Sequence, residues 1–402
     1  MRDWPSVPLA EVCEINPRLP KEGRPPPEGA VSFVPMAAVN EVDGAITAAQ
    51  IRPYAAVCKG FTPFREGDVL FAKITPCMEN GKVALAKNLV GGLGFGSTEF
   101  HVLRASSRVL PEWLRYYVWQ PSFREQAKRR MAGAVGQQRV PAEFLAQACL
   151  PVPPISEQRR LVDLLSRAEG IVRLRRDARK KAAELIPALY LNMFGDPAKN
   201  PKGWPDCNQG ELLAEPPTLG KMAKPSSKAA DWLDLRVANI QEGRLALEDK
   251  KWLDLPDSHV NRFALRDGDI VLARAIGSRD HLGKAVVVYP GESRWTFDSH
   301  LMRIRLDKTR LLPEMLKGFL ESSGGREAFL KHTRRSAVQF NINGKELRLI
   351  AMPLTPLSLQ LKYLAKVRSI AALQSQQTDA SWKAEEAFAA LLSRTFAAQP
   401  NG

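Results

Sequence analysis

The stretch Arg65-Glu-Gly-Asp-Val-Leu-Phe-Ala-Lys73 recurs 201 positions later as Arg266-Asp-Gly-Asp-Ile-Val-Leu-Ala-Arg274, every position identical or similar. Self-similarity at a fixed shift is the mark of a duplicated unit. Working outward, Trp4-Pro5 meets Trp204-Pro205, Asn40 and Gly44 meet Asn239 and Gly243, and Gly81-Lys82 meets Gly283-Lys284. Downstream, Leu110-Pro111-Glu112 meets Leu312-Pro313-Glu314, and Arg124-Glu125 meets Arg326-Glu327. Finally Leu150-Pro151-x-x-Pro154-x-x-x-Gln158 meets Met352-Pro353-x-x-Pro356-x-x-x-Gln360. A collinear series of this kind is not a chance match. The 402 residues are one unit of about 200 written twice, although a duplicated fold kept only for stability would leave the same repeat.

Each copy changes pattern once. Its first part is made of short mixed segments: residues 69–74 and 83–86 read as strands, 24–29 and the glycine-rich 91–96 as loops, and 112–119 and 122–131 as helices. That mixture predicts an α+β domain. A long helix then closes each copy, with Ser156 and Ser358 as N-caps. Apolar residues recur at 3–4 residue spacing at Leu161, Leu164, Ala168 and Ile171, then at Leu185, Leu189 and Met193. Pro187 should kink the last turns. In the second copy the series is Leu361, Leu364, Val367 and Ile370, then Phe388, Leu391, Leu392 and Phe396, across a polar middle at 374–378. A helix of ~38 residues spans about 57 Å and is not stable alone. Either each helix folds back on its own domain, or the two pack as an antiparallel coiled coil about a pseudo-twofold axis; the length of the seams favours the second. The expected organisation is a globular domain at 1–154, a helix at 155–195, a second domain at 196–356 and a second helix at 357–398.

Composition narrows the function. Hydrophobic residues make up 45% and charged residues 25%, which excludes a disordered or collagen-like chain. No apolar run reaches the ~20 residues of a membrane span, and no secretory segment opens the chain, so a cytoplasmic location is expected. Five scattered cysteines fit a reducing compartment, and no ligand pairs fall at zinc-finger spacing. The net charge of +15 points to a polyanion, nucleic acid first.

Catalytic signatures are missing. No Gly-Lys pair is followed by Ser or Thr as a P-loop requires, and the glycines at 91–96 do not fit a dinucleotide-binding turn. Asn16-Pro17 and Asn200-Pro201 lack the aromatic residue of a base-cradling methyltransferase motif. One acidic set, Asp234 with Glu248 and Lys250, resembles the Mg²⁺ centre of a nuclease. Ala49 stands opposite Glu248 in the first copy, and a surface charge cluster is the simpler account.

Basic residues recur at matching places. Arg124, Lys128, Arg129 and Arg130 lead into Gln137, Gln138 and Arg139; Arg326, Lys331, Arg334 and Arg335 lead into Gln339, Asn341 and Asn343. Cations that anchor phosphates, followed by Gln, Asn or Arg on a short loop, are what a DNA reader needs. Lys73 and Lys82 in copy one, with Arg274, Arg279 and Lys284 in copy two, are further candidates. Any one of them could equally belong to a solvated helix face. Two copies with one architecture and divergent loops would read two different half-sites.

Several stretches carry family wording: Gly67-Asp-Val-Leu-Phe-Ala-Lys-Ile-Thr-Pro-Cys-Met-Glu-Asn-Gly81, Gly94-Phe-Gly-Ser-Thr-Glu-Phe100, Gly136-Gln-Gln-Arg-Val-Pro141, Leu150-Pro-Val-Pro-Pro-Ile-Ser-Glu-Gln158 and Phe340-Asn-Ile-Asn343. In these, and in its duplication, the chain resembles the specificity subunits of type I restriction–modification systems. The resemblance implies two target-recognition domains, each reading half of a bipartite site in double-stranded DNA. It also implies two conserved helices, carrying Leu161, Leu164, Ile171, Leu185, Leu189, Leu361, Leu364, Ile370, Phe388 and Leu392, that separate the readers and dock two modification subunits. It implies that this chain is non-catalytic and binds no cofactor. S-adenosylmethionine, ATP and Mg²⁺ are expected on the modification and restriction–translocase subunits. The alternatives are a Mg²⁺-dependent DNA nuclease centred on Asp234, Glu248 and Lys250, or a DNA-binding adaptor of another defence system built on the same scaffold.

Overall fold

In the computed structural model the repeated Arg-x-Gly-Asp opens the central strand of each copy in the same way. The structure describes residues 4–397 except 135, 222–224, 227–231, 242, 256, 280 and 336–338. Gly67 (φ 86°) and Gly268 (φ 84°) make a left-handed turn that a side chain would strain. The aspartate after each glycine accepts the backbone N–H of Arg65 (2.7 Å) or Arg266 (2.8 Å). It also takes a bidentate contact from an arginine on the neighbouring strand. Arg104 reaches Asp68 at 2.9 and 2.7 Å, and Arg305 reaches Asp269 at 2.7 Å through both nitrogens. Both aspartates are buried, so each needs that partner.

The chain forms two compact units, Met1–Asp177 with Asp379–Gly402, and Ala178–Thr378. In the first, an antiparallel sheet runs in the order Cys13–Ile15, Phe100–Ala105, Val69–Ala72, Val83–Leu85. A second sheet runs Gln50–Pro53, Ala30–Val34, Leu93–Gly96, Thr62–Arg65, with its middle pair parallel. The second unit repeats this: Leu213–Leu219, Leu301–Leu306, Asp269–Ala273 and Ala285–Val288 form one sheet, and Trp232–Leu235 pairs parallel with Trp295–Phe297 in another. Helices Pro111–Trp119 and Pro121–Arg129 in one unit, and Pro313–Glu321 and Ser323–Lys331 in the other, cover the first of these sheets. The α+β class is as expected. The glycine-rich 91–96 is not only a loop: Leu93–Gly96 is a fully buried strand. A Cβ on Gly94 would lie 2.2 Å from the Phe64 ring, so glycine here admits an aromatic side chain across the sheet.

The long helices are α1 (Ile155–Ala183), α2 (Leu185–Phe194) and α3 (Leu357–Phe396). α1 and α3 begin before Ser156 and Ser358, on the carbonyls of Pro154 and Pro356, so neither serine is the N-cap. The break at Glu184 lies three residues before Pro187, whose ring excludes the carbonyl one turn upstream. α2 ends at Gly195, φ 84°.

The seam differs from the expected one. Leu161, Leu165 and Val172 are buried, whereas Leu164 and Ile171 are about half exposed, as are Leu185 and Leu361. On α3 the buried stripe steps by seven through Gln360, Gln374, Ser381, Phe388 and Thr395, with Val367 half-buried. Four of those six positions are polar, so an apolar pattern alone selects the wrong neighbours. In the first unit Phe388, Leu392 and Phe396 share a core with Leu161, Leu165 and Val172, and Arg176 pairs with Glu385 at 2.7 Å. In the second, Tyr190 meets Tyr363, while the Gln374 amide donates to the Ala182 carbonyl. These two pairs run in opposite directions, which makes α1–α2 and α3 antiparallel there. Leu189, Leu364 and Ile370 are half-buried.

Candidate nucleic-acid interface

In each unit the basic helix end runs into a short hairpin that returns beside the strand following the repeated motif. Ala132 and Arg139 exchange backbone hydrogen bonds of 3.0 and 2.8 Å, and Arg139 also bridges Ile74. In the second unit Arg334 pairs with Asn341, which in turn pairs with Ala275. Below this, Val140 N–H donates to the Lys73 carbonyl (2.9 Å) and Ile342 N–H to the Arg274 carbonyl (3.0 Å). The two hairpins therefore share the register of these pairs and the spacing between them, and carry different side chains. Arg139 and Asn341 occupy the same position. Val135 and residues 336–338 lie outside the described residues.

The candidate side chains divide by what already holds them. The buried part of Arg124 donates to the carbonyls of Trp119 (3.0 Å) and Glu79. Arg326 does the same toward Leu282 and Arg279. Both tie the loop before Gly81 or Gly283 to the helix, and burial lowers the pKa of Arg124. Lys82 donates to the Met36 carbonyl at 3.2 Å, and Arg274 Nε to the Ser299 carbonyl at 2.9 Å. Asn343 is an N-cap: its Oδ1 accepts from Lys345 and Glu346, and the Glu346 carboxylate accepts its N–H. In this structure these side chains hold the frame of each unit.

Others face solvent. Lys128 pairs with the half-buried Glu79 (2.8 Å), and the exposed pairs Arg129–Glu125 (3.5 Å) and Lys331–Glu327 (2.9 Å) are of the kind that exchange readily for a phosphate. Arg334 pairs with Glu346, and Arg335 lies 5.6 Å over the Phe340 ring. Arg130, Gln137, Arg279 and Gln339 are exposed; Lys73, Gln138, Lys284 and Asn341 are half-buried.

Two contributors are not among the candidate site residues, although Glu99 lies in the stretch Gly94–Phe100. Glu99 accepts Arg139 Nε (2.9 Å) and Nη2 (2.8 Å). His101, buried, donates from Nε2 to the Val140 carbonyl (2.8 Å) and accepts from the Asn16 amide at Nδ1 (3.0 Å). Its pKa is lowered, first by burial, so the ring is a neutral strut beneath the hairpin. Glu99 lies 40 residues before Arg139, and only opposite charge marks it as a partner.

The acidic set is not assembled. Asp234 is buried, whereas Glu248 and Lys250 are exposed and Asp249 pairs with Arg236. Among the described residues no group of three or more His, Cys, Asp or Glu is placed to hold a metal, and no helix is long and apolar enough to cross a membrane.

Comparison with known proteins agrees with this arrangement. Residues 1–184 match the type I restriction modification DNA specificity domain. The chain is 25% identical to the type I restriction enzyme EcoEI specificity subunit of Escherichia coli, over 90% of this chain and 77% of that protein. It is 35% identical to the EcoAI specificity subunit of E. coli over 40% of this chain and 27% of that one. Two solved chains share the fold. One comes from a study of complex assembly and conformational transition of the type I R-M system (TM-score 0.58, 23% identity, 97% of both chains). The other is a type I S subunit from M. genitalium (TM-score 0.51, 14% identity, 99% of this chain and 97% of that one). With two copies of one α+β unit, each carrying a basic hairpin, the chain matches a type I restriction modification DNA specificity domain over residues 1–184 and is similar along most of its length to specificity subunits of type I restriction enzymes.

Proposed function

We propose that the chain reads a bipartite target in double-stranded DNA, one half-site per unit, and carries the reading to two modification subunits. The observation that supports this most strongly is the pair of hairpins: equal in the register and spacing of their backbone pairs, unequal in side chains. A common frame with different tips gives two readers of one geometry and two specificities. Lys128, Arg129 and Arg130, with Lys331, Arg334 and Arg335, supply phosphate anchorage around them. Leu164, Ile171, Leu174 and Trp382, exposed on α1 and α3, suit the docking of partner helices better than solvent. S-adenosylmethionine, ATP and Mg²⁺ would be held by the modification and restriction subunits, in the cytoplasm where the DNA is. The test is to sequence the methylome of the host with and without this gene. A two-part methylated motif that disappears on deletion supports the reading; methylation that is unchanged, or lost from one continuous site, refutes it.

A further inference from the structure

The first hairpin carries a bidentate arginine–carboxylate pair at a position where the second has Asn341. Arg139 has five N–H groups. Nε and Nη2 are engaged side-on by the two Glu99 oxygens at 2.9 and 2.8 Å, and Nη1 donates to the Gln137 carbonyl at 3.1 Å. One N–H on each of Nη1 and Nη2 remains, enough for a bidentate contact to a planar acceptor pair. The guanidinium is half exposed although it is fixed at three points. Glu99 is itself seated by structure: the Lys73 backbone N–H donates to its carbonyl at 2.9 Å and the Ser97 hydroxyl accepts its backbone N–H at 3.2 Å. In the second unit the matching hairpin position is Asn341, whose side chain makes no hydrogen bond to a described residue.

We propose that Glu99 is a positioning residue for DNA reading: it holds Arg139 in one plane and one rotamer, so that the two remaining N–H groups present a fixed fork to the O6 and N7 of a guanine in the first half-site. The proposal rests on the chain being a DNA specificity subunit. An arginine on a hairpin has many rotamers, and freezing them costs affinity; a carboxylate that freezes them before DNA arrives removes that cost at the reading step. Held by two hydrogen bonds where Lys128 has one ion-pair contact, Arg139 is less free to swing away to a phosphate. Glu99 thereby favours base reading over non-specific anchorage. Its pKa is lowered, first by the hydrogen bond from Arg139, so the carboxylate stays charged at neutral pH.

The test uses the full chain with its modification subunits, a pool of randomised duplex DNA, and selection followed by sequencing. Wild type should enrich a two-part motif with a guanine at one position of one half. Glu99→Gln and Arg139→Lys should each lose discrimination at that same position, by about tenfold or more, and leave the other half-site as it was. Glu99→Gln should also bind unrelated DNA more tightly at low salt and steepen its salt dependence, because a freed guanidinium can now contact a phosphate. A merely structural clamp would not move one base position, and the intact second half-site reports that each variant is folded. If Arg139→Lys loses the guanine and Glu99→Gln keeps it, Glu99 does not position the arginine. If both keep it, Arg139 is not a reader. If wild type enriches no motif, the DNA-reading function itself falls, and this proposal with it.

Discussion

At the scale of single residues, charge does not decide function; what a charge already touches does. Arg124 and Arg139 look equivalent in the sequence, yet one is spent on backbone carbonyls and the other stands on a hairpin against a carboxylate. Asp234 shows the converse, a polar group with too few partners. It is buried with Oδ1 unpaired, and its carboxyl is pushed from 3.8 up to about 7, first by burial and then by Asp298, against the pull of Arg236 and Lys251. The folded state therefore binds this proton more tightly than the unfolded chain. Stability from this group is full at pH below about 4, falls as pH rises through about 7, and is flat above that. Asp234→Asn should raise the melting temperature at pH 8 and leave it unchanged near pH 4. An equal gain at both values would show that packing, not ionisation, is responsible.

At the scale of elements, the two glutamines of the repeated Pro-x-x-x-Gln fasten each long helix to its unit. Gln158 Oε1 accepts the Leu110 N–H (2.9 Å), and its amide donates to the carbonyls of Arg108 (2.9 Å) and Pro153 (2.8 Å). Gln360 repeats this with Leu312, Arg310 and Thr355 at 2.9, 3.0 and 2.8 Å. Both are fully buried. Gln158→Ala leaves one donor and two acceptors without that partner and should cost about 1–3 kcal/mol in denaturant unfolding. Hydrogen exchange at Leu110 should quicken while that at Leu312 does not; Gln360→Ala should do the reverse. The repeat exposes these glutamines in the sequence, but only the fold shows three backbone groups waiting for each. The helices were legible in outline, their packed face was not. Four of the six positions in the seven-residue stripe of α3 are Gln, Ser or Thr, and a hydrophobic pattern passes over them.

At the scale of the whole molecule, each compact unit holds one mixed domain together with parts of both helical segments. Exchanging residues 1–150 for those of a relative with another target should then change one half of the methylated motif and leave the other half intact. Methylome sequencing reads this directly, and a change in both halves would mean that the readers are not independent. The duplication, the α+β class, the long helices and the basic loops were all written in the sequence, because repeats, periodicity and turn chemistry are encoded between near neighbours or by simple self-comparison. The pairing of Arg139 with Glu99, the burial of Asp234 away from Glu248 and the choice between Leu164 and Leu165 on α1 were decided by tertiary structure alone. Each depends on groups that only folding brings within hydrogen-bonding or packing distance, and nothing local in the chain marks them as partners.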